Sequence, residues 1–308
     1  MIYDIIIAGA GPAGLTAALY ARRAGKSVLL IEKESFGGQI VLSPLVENYP
    51  FAKPMSGMEL VNTLVDTVTG MDTQVEVDNV NYTAENPDGT ITVRTDYSEF
   101  ACRALIIATG LRQRRTGAAN EEKFIGRGIS YCALCDGAFY KDKAVAVIGG
   151  GNTALQDAVY LSTLCSKVYL IHRRDKFRAE EQVVKSLDGH ENIEFVLNSV
   201  PVEIIGENKV SGIKVRNKFT DEERFIEVSG IFSAVGHIPN NEMFRELTKL
   251  DDAGYIISGE DCRTDLPNVF AAGDCRTKQV RQLVTANADG AVAATAACAY
   301  IDSLKSAR

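Results

Sequence analysis

The sequence predicts an α/β protein with two Rossmann-like units, each consisting of a strand, a glycine-rich turn, a helix and a second strand. A run rich in β-branched residues over 2–8 leads into Gly9-Ala10-Gly11-Pro12-Ala13-Gly14 and then into a helical stretch. The same order returns at Gly149-Gly150-Gly151-Asn152-Thr153-Ala154, again with a strand before it and a helix after it. A closely spaced pair, Cys132 and Cys135, stands just before the second unit. A Gly-x-Gly-x-x-Gly motif is informative only in that strand-to-helix context, and here a glycine motif of this kind occurs in it twice.

Composition narrows the classes of function. The 308 residues are enough for one large or two medium domains, with 46% apolar and 24% charged residues. A net charge of −7 argues against a nucleic-acid partner, and no apolar run approaches the length of a membrane span. Seven scattered cysteines suit a reducing compartment. We therefore expect a soluble, cytoplasmic protein that binds neither nucleic acid nor membrane.

The first glycine motif predicts a dinucleotide site. Gly9 allows the tight turn, Gly11 lets a pyrophosphate approach the helix that begins at Pro12 and Ala13, and Gly14 lets helix and strand pack closely. Glu32 ends the second strand, where an acid can hold two ribose hydroxyls. The alternative is a glycine-rich turn in some other α/β protein.

Several later positions give weaker signals. Gly38 would allow a flat ligand to approach the backbone, and Gln39 and Asn48 could hydrogen-bond it, although plain surface turns are an equal alternative. Gly110 follows another buried strand pattern. Alternating residues over 74–97, with Asn-Pro-Asp-Gly as a turn, predict a small antiparallel sheet.

The second glycine motif lacks the acid that follows the first. His172 follows Gly149 at the spacing with which Glu32 follows Gly9, so a histidine replaces the acid. A cationic cluster in place of a ribose-binding acid is what a 2′-phosphate requires, so this unit is predicted to bind NADP. The alternative is a solvated basic loop. The residues assigned to this site are Gly149, Gly151, Asn152, Thr153, His172, Arg173, Arg174 and Arg178.

The cysteine pair predicts a dithiol/disulfide centre. Two cysteines two residues apart can close and open a small ring, and a helix start after them would favour the reactive thiolate. Half a zinc site and a chance pair of buried thiols are the alternatives, but no second close pair exists, so no metal is predicted. Two dinucleotide units and this pair suggest that a hydride leaves a nicotinamide, passes a flavin and ends at the disulfide.

The end of the chain adds to the flavin site. Gly273 and Asp274 end a strand, and Asp274 could bind a ribityl hydroxyl of the flavin. Arg281 and Gln282 precede an alanine-rich helix whose start could face the pyrimidine carbonyls of the flavin.

Taken together, these motifs resemble the low-molecular-weight thioredoxin reductases over residues 2 to about 301. The motifs are Cys132-Ala-Leu-Cys135-Asp136-Gly137, Gly149-Gly-Gly-Asn-Thr-Ala154, His172-Arg-Arg-Asp-x-Phe-Arg178 and Phe270-Ala-Ala-Gly-Asp274, in the order of that family. The resemblance implies two Rossmann-like, three-layer ββα-type dinucleotide-binding domains, one inserted in the other, as in class II pyridine nucleotide-disulfide oxidoreductases. It implies an FAD domain made of residues 1–112 and 241–308, and an NADPH domain, 113–240, that carries the cysteine pair.

The same resemblance implies roles for particular residues. Cys135 would face the flavin, Cys132 would attack the disulfide of thioredoxin, and Asp136 would supply a proton. The family is homodimeric, and its NADPH domain rotates about two linkers, here expected at 112–116 and 236–240. Because nicotinamide and disulfide must each come within roughly 3 to 4 Å of the flavin ring, a rotation would let them take turns.

Other functions remain open on sequence alone. The same chemistry could serve another redoxin, either glutaredoxin-like or peroxiredoxin-linked. A ferredoxin-dependent relative would not need the basic cluster at Arg173, Arg174 and Arg178. A non-enzymatic redox sensor would leave the NADP site without a purpose.

Overall fold

The computed structural model describes residues 1–43, 46–50 and 52–306. The chain divides into two units, Met1–Arg112 with Ile238–Arg308, and Gln113–His237. The assignment of FAD to 1–112 with 241–308, and of NADPH to 113–240, stays a prediction, and residues 307 and 308 lie outside the described part. Among the described helices, none is long and apolar enough to cross a membrane.

Seventeen strands and seven helices follow one another along the described chain, with four short 3₁₀ helices between them. The helices are α1 (Pro12–Arg23), α2 (Gly57–Thr69), α3 (Glu121–Phe124), α4 (Ala133–Asp136), α5 (Asn152–Ser162), α6 (Glu181–Lys185) and α7 (Leu283–Ser306). The 3₁₀ helices are Gly38–Leu42, Gly137–Tyr140, Glu242–Phe244 and Gly273–Cys275. The strands are β1 (Ile2–Ala8), β2 (Val28–Glu32), β3 (Gln74–Val77), β4 (Val80–Glu85), β5 (Ile91–Thr95), β6 (Glu99–Ile107), β7 (Leu111–Gln113), β8 (Ile129–Ser130), β9 (Ala144–Gly149), β10 (Lys167–Ile171), β11 (Ile193–Val196), β12 (Ser199–Gly206), β13 (Val210–Asn217), β14 (Glu223–Glu227), β15 (Gly230–Ala234), β16 (His237–Pro239) and β17 (Val269–Ala271).

The first unit is built on a seven-stranded mixed sheet in the order β3-β2-β1-β6-β5-β4, with β17 also paired to β6. Strands β1, β2, β3, β6 and β17 pair in parallel, as a Rossmann-like unit requires. Ile5, Ile6 and Ile7 in β1 are completely buried because both faces of the sheet are covered. One face packs on alanines of α1 and α7, and the other packs on Phe244 and Leu247.

The predicted small antiparallel sheet is only partly right. Strands β4, β5 and β6 are antiparallel neighbours, and the Asn86 N–H donates to the Thr90 carbonyl at 2.8 Å across the predicted turn. Strand β3, however, pairs in parallel with β2 and extends the Rossmann-like part of the sheet. Its alternating pattern arises because a strand at the sheet edge is half exposed, whatever the direction of its partner.

The small residues of α7 allow close packing against α1. A β-carbon at Gly290 would stand 2.2 Å from the Ala13 carbonyl oxygen, so the two helices touch through backbone. Ala294 and Ala297 lie buried in the core cluster that also contains Ala17. This contact places the third turn of α7 against the start of α1.

The second unit has three layers. Its middle layer is a parallel sheet in the order β11-β10-β9-β15-β8. One face packs on α4 and α5, through residues such as Leu155 and Leu161. The other face packs on the antiparallel sheet β12-β13-β14, through residues such as Ile213 and Ile226. The predicted ββα arrangement is therefore present in this unit.

Candidate active site

Cys132 and Cys135 form a closed disulfide, with an S–S distance of 2.07 Å. Cys132 is the N-cap of the short helix α4, and its sulfur accepts a hydrogen bond of 3.2 Å from the Cys135 N–H. The Cys132 N–H in turn donates to Ser130 Oγ at 3.1 Å. Both cysteines are half-buried, so the ring is fixed by local hydrogen bonds and is still reachable from solvent. The pair can therefore serve as a dithiol/disulfide centre.

The turn that carries the disulfide is seated on helix α5. Ala133 is buried in the cluster that contains Leu161, and a β-carbon at Gly137 would stand 3.1 Å from the side chains of Tyr160 and Leu161. The Asp136 N–H donates to the Cys132 carbonyl at 3.1 Å, and Asp136 itself is half-buried. Burial and the charge of Asp136 both raise the pKa of Tyr140. Asp136 directly follows Cys135 and ends the same short helix, α4.

The second glycine turn passes directly into helix α5. A β-carbon at Gly149 would stand 2.5 Å from the Ala234 carbonyl oxygen, so only glycine fits where β9 meets β15. Gly151 is the N-cap of α5, and Thr153 is exposed in the first turn. Asn152 Nδ2 donates to Glu180 Oε1 at 2.9 Å. The backbone amides at the start of α5 therefore form a place where an anion can bind.

The basic loop after β10 presents three arginines to solvent. Arg173, Arg174 and Arg178 are all exposed. Within the described ranges, no carboxylate forms an ion pair with any of them, while other arginines in the chain do have such partners. Three guanidinium groups without a protein counter-charge fit a phosphate monoester.

His172 differs from these arginines because it is only 5% exposed. Its Nε2 lies 3.1 Å from the Lys176 carbonyl oxygen, which assigns the ring proton to that nitrogen. Burial lowers the pKa of His172, and the neighbouring arginines lower it further against the opposing effect of that hydrogen bond. The ring is therefore neutral near pH 7, and His172 contributes to the loop by packing and hydrogen bonding.

The first glycine turn is organised by Glu32. Its Oε2 accepts a hydrogen bond of 2.7 Å from the Ala10 N–H, and its Oε1 accepts one of 3.0 Å from the Glu34 N–H. Gly11 is the N-cap of α1, with Pro12 at the first helical position and Ala13 buried behind it. A β-carbon at Gly38 would stand 3.3 Å from the Gly11 Cα, so the two glycine-bearing turns pack backbone against backbone. A side chain at Gly38 would crowd the start of α1, where the free backbone amides can bind an anion.

The residues that gave weaker signals in the sequence also lie in the first unit. Gln39 Nε2 donates to the Leu111 carbonyl, and Asn48 Nδ2 donates to Gln282 Oε1 at 3.1 Å. The loop over 46–50 is thus tied to the segment before α7, and two residues assigned separately to the ligand lie in contact. Gly110 follows β6 with a left-handed φ of +60°.

Two buried polar atoms near the start of α7 have no partner among the described residues. They are Asp274 Oδ1 and Arg281 Nε. Burial raises the pKa of Asp274, and Lys278 and Arg281 oppose that effect. Buried polar groups are nearly always hydrogen-bonded. An acceptor and a donor that both lack a protein partner therefore indicate a polar ligand. The ribityl chain and pyrimidine ring of a flavin supply the matching hydroxyl and carbonyl groups.

Sequence reasoning missed the residues that support these sites. Asp289, in α7, accepts hydrogen bonds from the Gly273 N–H at 2.9 Å and from Arg276 and Lys278. Glu180 was likewise not expected to bind Asn152. Charged residues in a turn or a helix give no local signal of such contacts, because the partners meet only when the chain folds.

Comparison with known proteins identifies the group to which this geometry belongs. Residues 3–290 match the family model described as pyridine nucleotide-disulphide oxidoreductase. The thioredoxin reductase of Listeria monocytogenes is 41% identical over 99% of this chain and 95% of its own length. The chain belongs to the thioredoxin reductases of this family. Its relatives include the thioredoxin reductase of Treponema pallidum, 38% identical over 98% of both chains. The crystal structure of Lactococcus lactis thioredoxin reductase has a TM-score of 0.83 and 38% identity, covering 98% of this chain and 99% of that one.

Proposed function

We propose that the protein reduces the disulfide of thioredoxin with electrons from NADPH, using FAD and the Cys132–Cys135 pair. One observation supports this most strongly. The closed disulfide lies in the same folded unit as a glycine turn and three exposed arginines that suit a phosphorylated nucleotide. A sensor protein would have no use for that nucleotide site, and a ferredoxin-dependent enzyme would not need its basic loop.

FAD is assigned to the first unit. The open Asp274 carboxylate oxygen and Arg281 Nε fit the flavin end, and the backbone amides at the start of α1, after the N-cap Gly11, fit the pyrophosphate. When bound, the flavin takes up a hydride from NADPH and delivers two electrons to a disulfide. The residues that would hold it are Gly9, Gly11, Pro12, Ala13, Gly14, Glu32, Gly38, Gln39, Asn48, Gly110, Gly273, Asp274, Arg281 and Gln282.

NADPH is assigned to the second unit. The pyrophosphate would bind the amides at the start of α5, and the 2′-phosphate would bind Arg173, Arg174 and Arg178. Gly149, Gly151, Asn152, Thr153 and His172 would form the turn and the loop that support these contacts.

The reduced pair then acts by thiol–disulfide exchange. The Cys132 thiolate attacks one sulfur of the thioredoxin disulfide, which forms a mixed disulfide and releases the other sulfur as a thiolate. The Cys135 thiolate next attacks Cys132 Sγ, which closes the ring again and releases the second thioredoxin sulfur. Asp136, in its protonated form, would donate the proton that a departing thiolate needs. Two electrons pass from the pair to thioredoxin, and the pair ends oxidised.

Three further properties belong to this proposal. The unit that carries NADPH and the disulfide rotates between half-reactions about the linkers at 112–116 and 236–240. The protein is a homodimer, and it works in the cytoplasm, where thiols are kept reduced. Sedimentation at micromolar concentration tests the dimer, which would be excluded by a single species of the chain mass, 33.4 kDa.

The direct experiment uses the purified flavoprotein under anaerobic conditions. Addition of NADPH should bleach the flavin absorbance, and NADH should do so only at much higher concentration. Steady-state turnover is then measured with thioredoxin, with a glutaredoxin and with a reduced ferredoxin as the alternative electron donor. Turnover with ferredoxin in place of NADPH, or a preference for glutaredoxin over thioredoxin, would overturn the proposal.

A further inference from the structure

The loop that bears the three arginines has a fixed backbone although its charged side chains are exposed. Three of its backbone groups form hydrogen bonds, and none of these bonds uses an arginine side chain. The Arg174 carbonyl accepts from the Asn198 N–H at 3.2 Å, the Lys176 carbonyl contacts His172 Nε2, and the Arg178 N–H donates to the Gly150 carbonyl at 2.7 Å. These bonds hold the loop along its whole length while leaving the guanidinium groups for a ligand.

The ring of His172 closes the space between this loop and the glycine turn. A β-carbon at Gly150 would stand 2.2 Å from the His172 ring, so the imidazole lies directly on the turn. On its other side the ring packs on Phe177, with 5.5 Å between ring centroids, and Phe177 packs on Phe195 at 5.8 Å. His172 therefore joins the turn expected to bind the pyrophosphate to the loop expected to bind the 2′-phosphate.

A second connection is made by Glu180, two residues after Arg178. Asn152 Nδ2 donates to Glu180 Oε1 at 2.9 Å, and the Glu180 N–H donates to Asn152 Oδ1 at 2.8 Å. This reciprocal pair ties the end of the basic loop to the first residue of α5. An acid beside a phosphate site is unfavourable for charge, so its presence calls for a structural reason.

We propose that Glu180 is a positioning residue for selection of the 2′-phosphate: paired with Asn152, it holds the basic loop at the glycine turn in the conformation that binds NADPH. This inference rests on the proposed function, because it assumes that the loop receives a 2′-phosphate. Without the pair, the loop would have to be ordered when the ligand binds, and that entropic cost would reduce affinity. A ligand that lacks the 2′-phosphate does not use the loop, so its affinity would be unaffected.

Three variants separate this role from a simple effect of charge. Glu180→Ala removes the side-chain acceptor, whereas Glu180→Gln removes the charge but keeps an amide oxygen for Asn152 Nδ2. Glu181→Ala is the matched control, because it removes an acid at the next position, where the side chain pairs only with Lys185 in the described structure. The flavin-loaded protein is titrated by calorimetry with 2′,5′-ADP and with 5′-AMP, which differ only in the 2′-phosphate. KM and kcat are measured with NADPH and with NADH.

The expected result is specific to the ligand. Glu180→Ala should bind 2′,5′-ADP about fivefold to tenfold more weakly, the change expected for loss of one hydrogen bond at the surface. Its affinity for 5′-AMP and its kcat with NADPH should stay within about twofold of the parent, within the range of a surface substitution. Glu180→Gln and Glu181→Ala should bind 2′,5′-ADP like the parent.

Other outcomes would overturn the inference. If Glu180→Ala binds 2′,5′-ADP as tightly as the parent or more tightly, the acid acts only through its charge. If Glu180→Ala loses affinity for 5′-AMP equally, the effect is a general loss of structure. Failure of the proposed function itself would look different, because the parent protein would then bind 2′,5′-ADP no better than 5′-AMP.

Discussion

Asp289 accepts two hydrogen bonds from Arg276, each 2.8 Å long, in the interior of the first unit. The side chains are 7% and 1% exposed, and Lys278 Nζ adds a third bond at 2.9 Å. Burial alone would raise the pKa of Asp289, but the hydrogen bonds and charges of Arg276 and Lys278 outweigh it and lower the pKa below its ordinary value. This acid also binds the Gly273 N–H, so it fixes the turn that carries Asp274.

Replacement of this acid should destabilise the first unit. Asp289→Asn leaves two buried cations with a neutral partner, and loss of one member of a buried ion pair costs about 3–5 kcal/mol. The free energy of unfolding, measured with urea at pH 7, should fall by that amount. Asp265→Asn is the control, because Asp265 pairs with Lys249 at the surface, and it should cost less than about 1 kcal/mol. Equal losses in both variants would contradict the role of Asp289.

The same pair has a defined pH dependence. A carboxyl group with a lowered pKa in the folded state stabilises the fold at pH values above its ordinary pKa of 3.8. That contribution is lost as the pH falls through the folded-state pKa. The difference in unfolding free energy between the parent and Asp289→Asn should therefore be constant from pH 5 to pH 7 and shrink toward pH 3. A difference that grew on acidification would contradict this assignment.

The open carboxylate of Asp274 predicts a loss of flavin. Asp274→Asn replaces an acceptor oxygen with either an amide donor or a weaker acceptor, where a ligand hydroxyl is expected. The affinity for FAD should fall about tenfold, the size expected for a hydrogen bond to a charged group. The ratio of flavin to protein absorbance after gel filtration measures it. Asp252→Asn, at an exposed position, should keep the parent ratio, and full flavin content in Asp274→Asn would exclude this contact.

The buried imidazole of His172 predicts an unusual titration. Burial and the nearby arginines lower its pKa below the ordinary value of 6.5, so the folded state prefers the neutral ring. His172 therefore adds to stability above about pH 6.5 and costs stability as the pH falls below that value. NMR titration, with the His172 signals assigned from a His172→Gln variant, should give a midpoint below 6.5. A midpoint above 6.5 would show that the ring carries charge in the cluster.

The five remaining cysteines are buried as free thiols. Burial raises the pKa of Cys102 and of Cys262 to about 12, and that of Cys165 and of Cys275 to about 11, and it also raises the pKa of Cys298. Because the thiolate is the reactive form, none should react quickly with Ellman's reagent in the native, oxidised protein. Rapid release of chromophore from the oxidised protein would contradict the burial of these thiols.

Local patterns predicted the positions of the functional turns. The strand before and the helix after Gly149 are present as expected, and the spacing to His172 placed it at the end of β10, as Glu32 ends β2. These features depend on neighbouring residues, whose conformations follow from glycine, β-branched residues and helix starts. Most of the fold and the residue types of the candidate site were predicted from these local features.

Long-range contacts were not predicted. The i,i+4 spacing of Glu181 and Lys185 is visible in the sequence, whereas nothing in the sequence pairs Glu180 with Asn152, which is 28 residues away. His172 was expected to act as a cation, but its burial against Gly150 makes the neutral ring the favoured form. The charge of a side chain is set by its tertiary surroundings, and a linear pattern does not contain them.

The most direct measurement counts the thiols that NADPH creates. The oxidised flavoprotein is treated anaerobically with NADPH, freed of nucleotide and tested with Ellman's reagent, beside Cys135→Ser treated in the same way. We expect two new rapidly reacting thiols in the parent and none in Cys135→Ser, although NADPH still bleaches the flavin of that variant. Full flavin reduction in the parent without any new thiol would contradict the transfer of electrons to Cys132 and Cys135.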